Sequence, residues 1–183
     1  MTFTPLDIEG SYLITPQVFG DERGYFFERF SARAFEEATG IRATFVQDNE
    51  SMSNKGVVRG LHMQTGEMAQ AKLVAVPKGA VNDIIVDVRP QSPTYLQHIV
   101  VPLNEQNKHM LYIPTGCVHG FETLEDNTIF QYKCSNYYSK SHEAGINLFD
   151  KQLAIEFAFH RQAMIVSEKD QALPLLKDFV LTL

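Results

Sequence analysis

The chain has no tryptophan, only two cysteines in 183 residues, and fewer basic than acidic side chains. Cys117 and Cys134 stand alone in strand-like segments and match no Cys-x-x-Cys spacing, so neither a disulfide framework nor a zinc module is expected. Isolated thiols are typical of a reducing compartment. The 16 Lys and Arg against 22 Asp and Glu give a net charge of -6. This balance argues against a broad nucleic-acid surface, although it leaves room for one bound nucleotide.

Long apolar runs are also absent. No stretch approaches the ~20 apolar residues that cross a bilayer, so we expect no membrane partner. The N-terminus, residues 1–7, lacks the basic segment and apolar run of a signal peptide, and we expect a cytoplasmic location. No linker, low-complexity tract or internal repeat is visible. The length therefore predicts one domain over residues 1–183.

Short β-prone segments dominate what is present. Turn residues separate them, as at 77–79 and 125–127, which is typical of an all-β sandwich or closed barrel. Helices are few: Ser31–Thr39 is predicted to be helical, with Ser31 as its cap and Gly40 at its end, and Leu173–Phe179 can form a second short helix. The predicted strands are Tyr12–Val18, Thr44–Val46, Val57–Met63, Lys72–Val76, Val81–Val88, Tyr95–Leu103, Met110–Ile113, Gly120–Leu124 and Thr128–Tyr132.

Two stretches, residues 56–64 and 114–121, resemble the paired motifs of the cupin barrel, a double-stranded β-helix of the jelly-roll type. Metal-binding cupins place a His-x-His pair in the first motif, followed by a Glu with six residues between it and a Gly. Here Gln64 stands for the second His, and Lys72 stands for the Glu before Gly79. An ammonium repels a metal ion and cannot bind it while protonated. The motifs therefore predict the barrel without its metal.

A base, an acid and a cation are available for other chemistry, in His62, Tyr132 and Lys72, with Asp170 as a possible partner carboxylate. This set suits removal of a proton beside a carbonyl, because the enolate oxygen needs a stabilising charge. Imidazole titrates near neutral pH, and positioned acids and bases each contribute ~10²–10⁴-fold to rate. Taken singly, each residue also has a structural explanation: a barrel tyrosine, a lysine reaching solvent, a carboxylate that caps a helix.

Three further groups are more ambiguous. Residues 21–24, Asp-Glu-Arg-Gly, predict a turn with a charged pair. The polar run 47–53 is typical of a loop beside a strand, although its amides are suited to reading a nucleobase, as arginine is to gripping phosphate. His119 follows Pro-x-Gly in a predicted turn between Gly116 and Gly120. The flanking glycines allow its backbone to be held close to other segments, which is unusual for a residue that only fills space.

Taken together, these segments resemble the dTDP-4-dehydrorhamnose 3,5-epimerase family. The resemblance covers nearly the whole chain, in order and at family-like spacing. No single segment is decisive, but the ordered set is specific. The segments that carry it are 19–24, 45–49, 59–62, 72–74, 86–89, 92–94, 114–121, 132–138, 143–146 and 167–170.

The resemblance implies a homodimeric barrel that acts on a dTDP-4-keto-6-deoxy sugar without metal or cofactor. By the same resemblance His62 is the base, Asp170 its partner, Tyr132 the acid and Lys72 the residue that stabilises the enolate. The implied reaction inverts both carbons beside the keto group and turns dTDP-4-dehydro-6-deoxy-D-glucose into dTDP-4-dehydro-L-rhamnose. The implied substrate and nucleotide contacts are Arg23, Phe26, Glu28, Gln47, Asn49, Arg59, His119, Tyr138, Glu143 and Lys169.

Two departures from the family pattern leave the number of inverted carbons open. Met63 stands where the family often has Tyr or Phe, beside the predicted base, where it can influence the tilt of the sugar ring. Residues 147–150, Asn-Leu-Phe-Asp, replace a frequent Trp-x-Asp. A single-centre 3- or 5-epimerase is therefore an alternative. A metal-dependent cupin oxygenase and a non-catalytic sugar-nucleotide-binding protein are alternatives of other classes.

Overall fold

The computed structural model describes residues 1–179, and strands dominate it. The strands are β1 Thr2–Pro5, β2 Tyr12–Thr15, β3 Phe19–Asp21, β4 Gly24–Phe26, β5 Gln47–Ser53, β6 Val57–Gln64, β7 Lys72–Lys78, β8 Ala80–Asp87, β9 His98–Asn104, β10 Met110–Ile113, β11 Cys117–Thr123, β12 Thr128–Cys134, β13 Glu143–Gly145 and β14 Ile165–Val166. The helices are α1 Ala32–Thr39 and α2 Glu168–Gln171, with 3₁₀ turns at Gly66–Met68, Lys140–His142, Arg161–Ala163 and Leu176–Asp178. Among the described residues, no helix is both long and apolar enough to span a membrane.

Two antiparallel sheets form the barrel. The first sheet has the order β1-β2-β10-β7-β12-β5, and the second has the order β13-β6-β11-β8-β9 with β14 beside β6. Successive strands cross between the sheets, as in a jelly roll, and this confirms the predicted all-β, cupin-type fold. The aliphatic side chains Val74, Ile85, Leu103 and Leu111 fill the space between the sheets. They form the apolar core of the barrel interior.

Outer layers cover both sheets. Helix α1 lays Phe35, which is fully buried, against Ile14, Leu73 and Met110 of the first sheet. Burying an aromatic or aliphatic side chain of this size stabilises the fold by ~1.5–3 kcal/mol. The C-terminal segment, residues 146–179, packs on the outside of the second sheet through a cluster of apolar side chains. That cluster includes Val58, Leu61, Ile84, Val118, Ile146, Leu148 and Leu153.

The helix predicted at Ser31–Thr39 is confirmed with both of its caps. The Ser31 hydroxyl accepts a hydrogen bond from the Ala34 N–H at 3.3 Å. Gly40 ends the helix in the left-handed region, with φ of 74°. Of the second predicted helix, only Leu176–Asp178 is helical, as a 3₁₀ turn.

Several predicted strand boundaries are wrong. Thr44–Val46 forms no strand; instead the polar run Gln47–Ser53, predicted as a loop, is β5 and pairs with β12 along its length. It is an edge strand with solvent on one face and the polar cavity on the other, so neither face is apolar. β2 stops at Thr15 because Pro16 cannot donate to the ladder. The segment around Tyr95 turns before β9 begins at His98.

Candidate active site

A cavity of about 550 Å³ opens between the two sheets. All four predicted catalytic residues line it, as do Arg59, His119 and Lys169 among the predicted contacts. His62 and His119 extend from β6 and β11 of one sheet, whereas Lys72 and Tyr132 extend from β7 and β12 of the other. The base and the acid predicted from the sequence therefore stand on opposing walls.

A smaller lobe of about 320 Å³ adjoins this cavity and shares His62, Lys72 and Tyr132 with it. Its walls are unusually rich in side-chain amides. They bring four further predicted contacts into the site, from β5, from the segment after β12 and from β13. The remaining residues that line it are Gln47, Asn49, Met63, Gln64, Gln70, Cys134, Tyr138 and Glu143.

His62 and Asp170 form a tight pair at the border of the cavity. His62 Nε2 lies 2.7 Å from Asp170 Oδ1, and the second oxygen accepts the Gly60 N–H at 3.2 Å. Burial raises the pKa of Asp170, but the hydrogen bonds from His62 and Gly60 outweigh it and leave the pKa below its usual value. Because an ionised carboxylate can only accept, Nε2 carries the proton and Nδ1 is the basic atom. The His62 side chain remains 30% exposed, within reach of a substrate.

The C-terminal segment delivers Asp170 to this pair from 108 residues away in the chain. β14 runs parallel to β6, with Ile165 opposite Val57, and the Ile165 N–H donates to the Gly56 carbonyl at 2.8 Å. A side chain at Gly56 would meet the Ala163 carbonyl oxygen at 2.9 Å, so this close approach requires glycine. Helix α2 follows β14, and its third residue is Asp170, which reaches His62.

His119 forms a second imidazole–carboxylate pair, with Asp83. Nε2 lies 2.9 and 3.1 Å from the two Asp83 oxygens. Asp83 has no exposed surface and His119 only 7%. Burial lowers the pKa of His119 and outweighs the opposing effect of the Asp83 carboxylate, so the ring is held neutral. His119 lies inside β11 and not in the predicted turn.

Asp83 is a buried partner that was not among the residues predicted from the sequence. A signal was present, because Asp83 interrupts the apolar run of β8 at a position that faces inward. Buried carboxylates are rare unless they are paired, so an acid in such a strand indicates an unseen partner. That partner is His119. It is brought to Asp83 by the pairing of β8 with β11, which the local sequence pattern of β8 does not show.

Lys72 and Tyr132 face the cavity from neighbouring strands. Tyr132 pairs with Val74 in the β7–β12 ladder, two residues from Lys72 and on the same face. Burial lowers the pKa of Lys72, and Cys134, Asp83 and Glu143 oppose this shift. Burial raises the pKa of Tyr132, so the phenol keeps its proton. Within residues 1–179 the Lys72 ammonium makes no hydrogen bond or ion pair, and it is therefore available to a ligand.

A chain of hydrogen bonds crosses the mouth of the smaller lobe. Glu143 accepts from Lys169 Nζ at 2.6 Å and from the Tyr138 hydroxyl at 3.0 Å. The Tyr138 N–H donates to the Gln47 side chain at 3.1 Å, and Gln47 donates to Asn49 at 3.0 Å. These predicted contacts come from four separate segments, so the fold brings them together.

Arg59 lies at the edge of the main cavity. Its Nε donates to the Ser53 hydroxyl at 3.2 Å, and Nη2 lies 3.4 Å from the Met52 carbonyl. These two bonds leave further guanidinium N–H groups unused, because arginine has five such donors. These unused N–H groups could donate to a phosphate at this edge, while the bonds to Ser53 and Met52 hold the side chain in place.

Three predicted contacts do not reach the cavity within this chain. Arg23 and Phe26 belong to the β3–β4 hairpin, which lines a separate surface hollow, and Glu28 follows it. Arg23 pairs with Asp21, which confirms the predicted turn with a charged pair. Phe26 is 70% exposed.

Met63 and Leu148, which lie at the two departures from the family pattern, both pack against the second sheet. Met63 is buried in the apolar cluster between the second sheet and the C-terminal segment, and it also lines the smaller lobe beside His62, so the expected effect on the sugar ring stays a prediction. Leu148 lies in the same cluster and belongs to the segment 147–150, where the family often has Trp-x-Asp. Across residues 1–179 no group of three His, Cys, Asp or Glu is arranged to hold a metal ion.

Comparisons with known proteins agree on one family. A family model described as dTDP-4-dehydrorhamnose 3,5-epimerase matches residues 5–178. The enzyme of that name from Salmonella typhimurium is 49% identical over 170 residues, which cover 93% of this chain and 92% of that protein. The crystal structure of the Elizabethkingia anophelis enzyme superposes with a TM-score of 0.94 at 44% identity, over 97% of both chains. A Legionella pneumophila dTDP-6-deoxy-D-glucose-3,5-epimerase, solved with dTDP-4-keto-L-rhamnose, gives a TM-score of 0.92 at 43% identity, over 98% of this chain and 94% of that one.

Proposed function

This chain belongs to the dTDP-4-dehydrorhamnose 3,5-epimerase family, and we propose that it is an isomerase of this type. It inverts both carbons beside the keto group of dTDP-4-dehydro-6-deoxy-D-glucose and releases dTDP-4-dehydro-L-rhamnose. One observation carries the proposal. His62, paired with Asp170, and Tyr132 face each other across one cavity from different sheets, with Lys72 beside them.

The reaction begins with removal of a proton. The keto oxygen points toward Lys72, and His62 Nδ1 takes the proton from a neighbouring carbon. The C–H electron pair moves to the keto oxygen, where the Lys72 ammonium stabilises the enolate. The Asp170 carboxylate stabilises the imidazolium that forms, because the two groups are 2.7 Å apart. No electron leaves the substrate, so this step needs no redox partner.

Inversion follows when the proton returns on the other face. The Tyr132 hydroxyl donates a proton to the carbon as the carbonyl reforms, and solvent restores the phenol. The raised pKa of Tyr132 fits this role, because the proton is present at neutral pH. The second carbon beside the keto group is acidified in the same way. The same residues therefore serve both inversions once the sugar ring has moved.

The rest of the substrate meets the other predicted contacts. Arg59 and Lys169 supply positive charge for the diphosphate at the edge of the main cavity. Gln47, Asn49 and Tyr138 line the neighbouring lobe and offer amide and aromatic contacts.

We also propose a cytoplasmic homodimer in which the β3–β4 hairpin of one protomer contributes to the site of its partner. The hairpin exposes three aromatic side chains in the single chain, Phe19, Tyr25 and Phe26, and such a patch favours an interface. A partner's cavity would give Arg23, Phe26 and Glu28 the substrate contacts that the family resemblance implies. The two unpaired thiols, Cys117 and Cys134, suit a reducing compartment.

The reaction is tested by incubating the protein with the 4-keto-6-deoxyglucose nucleotide in deuterated water and following the product by NMR. Deuterium at both carbons 3 and 5, together with the L-rhamno product, is the expected result. Exchange and inversion at one carbon alone would identify a single-centre epimerase. Absence of exchange at either carbon would refute the proposed reaction.

The homodimer is tested by mixing two inactive variants, His62→Ala and Arg23→Ala. If the hairpin serves the partner, a mixed dimer contains one site with no substitution, and activity returns after subunits exchange. If the hairpin serves its own chain, every site carries one defect and activity does not return.

A further inference from the structure

Gln64 takes no part in the mechanism above, although its position in the first motif directs it into the barrel. It is the last residue of β6, only 5% exposed, and it lines the smaller lobe beside His62 and Lys72. Its Oε1 accepts the backbone N–H of Ser139 at 2.8 Å. A backbone N–H must meet an acceptor, so this bond fixes which end of the carboxamide faces Ser139 and which end is free.

The free end is the amide nitrogen, with two N–H donors. Within residues 1–179, Gln64 Nε2 has no hydrogen-bond partner, and it is not among the unpartnered atoms that are sealed from solvent. Because Gln64 lines the lobe and its oxygen is held by Ser139, the nitrogen is the end of the carboxamide that we assign to the lobe. Water can reach this nitrogen, so an oxygen of a bound sugar would take the place of water as its acceptor.

Neighbouring amides are already committed to the protein. Gln47 accepts from the Tyr138 N–H and donates to Asn49, and Gln70 donates to the Asn136 carbonyl at 2.7 Å. These bonds tie the segment 136–142 to the barrel, as Gln64 does through Ser139. Gln64 differs because its nitrogen has no protein partner among the described residues, whereas the nitrogens of Gln47 and Gln70 donate to Asn49 and Asn136.

We propose that Gln64 is a specificity-determining residue that donates a hydrogen bond to an oxygen substituent of the hexose. The inference rests on the proposed function, because the lobe shares its base, acid and lysine with the reaction site. A fixed NH₂ group selects an oxygen acceptor, such as a carbonyl or hydroxyl oxygen of the hexose, and disfavours a sugar that lacks it. The residue that replaces a metal ligand in the cupin motif thereby gains a role in binding the substrate.

Two substitutions separate this role from simple anchoring of the 136–142 segment. Gln64→Glu keeps an acceptor for the Ser139 N–H but removes the donors, whereas Gln64→Met removes both. We expect both variants to lose about tenfold or more in kcat/KM, which is the scale of one buried hydrogen bond. Hydrogen exchange at residues 136–142 should speed up only in Gln64→Met. Affinity for dTDP alone should remain within about twofold of wild type, because the nucleotide does not use this donor.

Gln70→Met is the matched control, since it removes an anchor of the same segment and no donor to the lobe. It should speed up exchange near Asn136 and change kcat/KM by less than about threefold. Wild-type kcat/KM in Gln64→Glu would overturn the proposal and leave anchoring alone. A fall in Gln64→Glu that vanishes at the variant's own pH optimum would also overturn it, because the added charge would then be the cause.

The proposed reaction and the Gln64 contact fail in different ways. If the wild type binds the sugar nucleotide and leaves it unchanged, the reaction is refuted. The Gln64 contact is then tested by affinity, and a loss of about tenfold for the sugar nucleotide relative to dTDP supports it. Equal affinities of Gln64→Glu and wild type for the sugar nucleotide would overturn it.

Discussion

The site contains two imidazole–carboxylate pairs of the same chemistry in different surroundings. His62 and His119 are direct neighbours in the β6–β11 ladder. Asp170 reaches His62 from the C-terminal segment at the border of the cavity, whereas Asp83 reaches His119 from the middle of β8 without any exposed surface. Burial lowers the pKa of His119 and keeps that ring neutral. The His62 side chain remains 30% exposed, so its ring borders both the carboxylate and the open cavity.

Location therefore separates the two roles. In the proposed reaction, the pair that includes the C-terminal segment handles the proton, and the sealed pair of His119 and Asp83 supplies a fixed ring and a buried negative charge near Lys72. The two carboxylates also differ in what holds them. The Asp170 carboxylate accepts from Gly60 and His62, and the Asp170 backbone N–H donates to the Ser167 hydroxyl, whereas the Asp83 carboxylate is bonded to His119 alone among the described side chains.

The largest difference should appear when each imidazole is removed. His62→Ala should lower kcat by ~10²–10⁴-fold and abolish deuterium uptake, because no other base reaches the carbon. His119→Ala should retain deuterium uptake and lower kcat/KM by about tenfold, as loss of one hydrogen bond would. Uptake is measured by NMR in deuterated water. If His119→Ala loses uptake while His62→Ala retains it, the two assignments are reversed.

Replacing each carboxylate by its amide should separate catalysis from stability. Asp170→Asn should lower kcat by ~10³-fold, because an amide NH₂ facing Nε2 forces the proton onto Nδ1 and removes the base. Asp83→Asn should instead lower the free energy of unfolding by ~1–3 kcal/mol, since one amide donor is left buried without an acceptor. Steady-state kinetics and denaturant unfolding of both variants provide the measurements. Equal unfolding losses in the two would contradict the contrast.

Replacement of Tyr132 tests whether proton return from the first sheet is separate from proton removal by the pair on the second sheet. Tyr132→Phe should keep deuterium uptake within about threefold of wild type while the inverted product falls by ~10²-fold, because removal of the proton does not need the phenol. The comparison of uptake with product formation is made in the same NMR experiment. Loss of both together would place Tyr132, and not His62, at the first step.

The contrast between the pairs also shows what could be predicted from the sequence. His62, Asp170, Lys72 and Tyr132 lie in short motifs that keep their order and spacing, and these motifs sufficed to place them in one cavity. The all-β class was predictable because turn residues recur between short β-prone segments, and the resemblance of residues 56–64 and 114–121 to the cupin motifs singled out the barrel.

Other features depend on pairing across the barrel. Asp83 and His119 are 36 residues apart and meet only because β8 and β11 are in register. β5 was missed because an edge strand between polar cavity and solvent has no apolar face. The β3–β4 hairpin was read correctly as a turn, yet its sequence does not show that it points away from its own cavity.

The smallest expected effect is electrostatic, and it concerns the sealed pair alone. Lys72 must be charged to stabilise the enolate, and burial lowers its pKa, so kcat/KM should fall with rising pH earlier than for an exposed lysine. Asp83 opposes that shift, whereas Asp170 is not among the groups that act on Lys72. Asp83→Asn should therefore move the alkaline limb to lower pH by less than about one unit, and Asp170→Asn should leave it in place.

Other titrations should not obscure this limb. The pKa values of Tyr132 and Cys134 are both raised by burial, and both residues are present in all three proteins, so neither accounts for a difference between their limbs. His119 is already neutral because its pKa is lowered, and losing the Asp83 charge would lower it further. The measurement is kcat/KM from pH 6 to 10 for wild type and both variants. A limb that moves to higher pH in Asp83→Asn would mean that the buried carboxylate does not support the lysine charge, and the sealed pair would then serve packing alone.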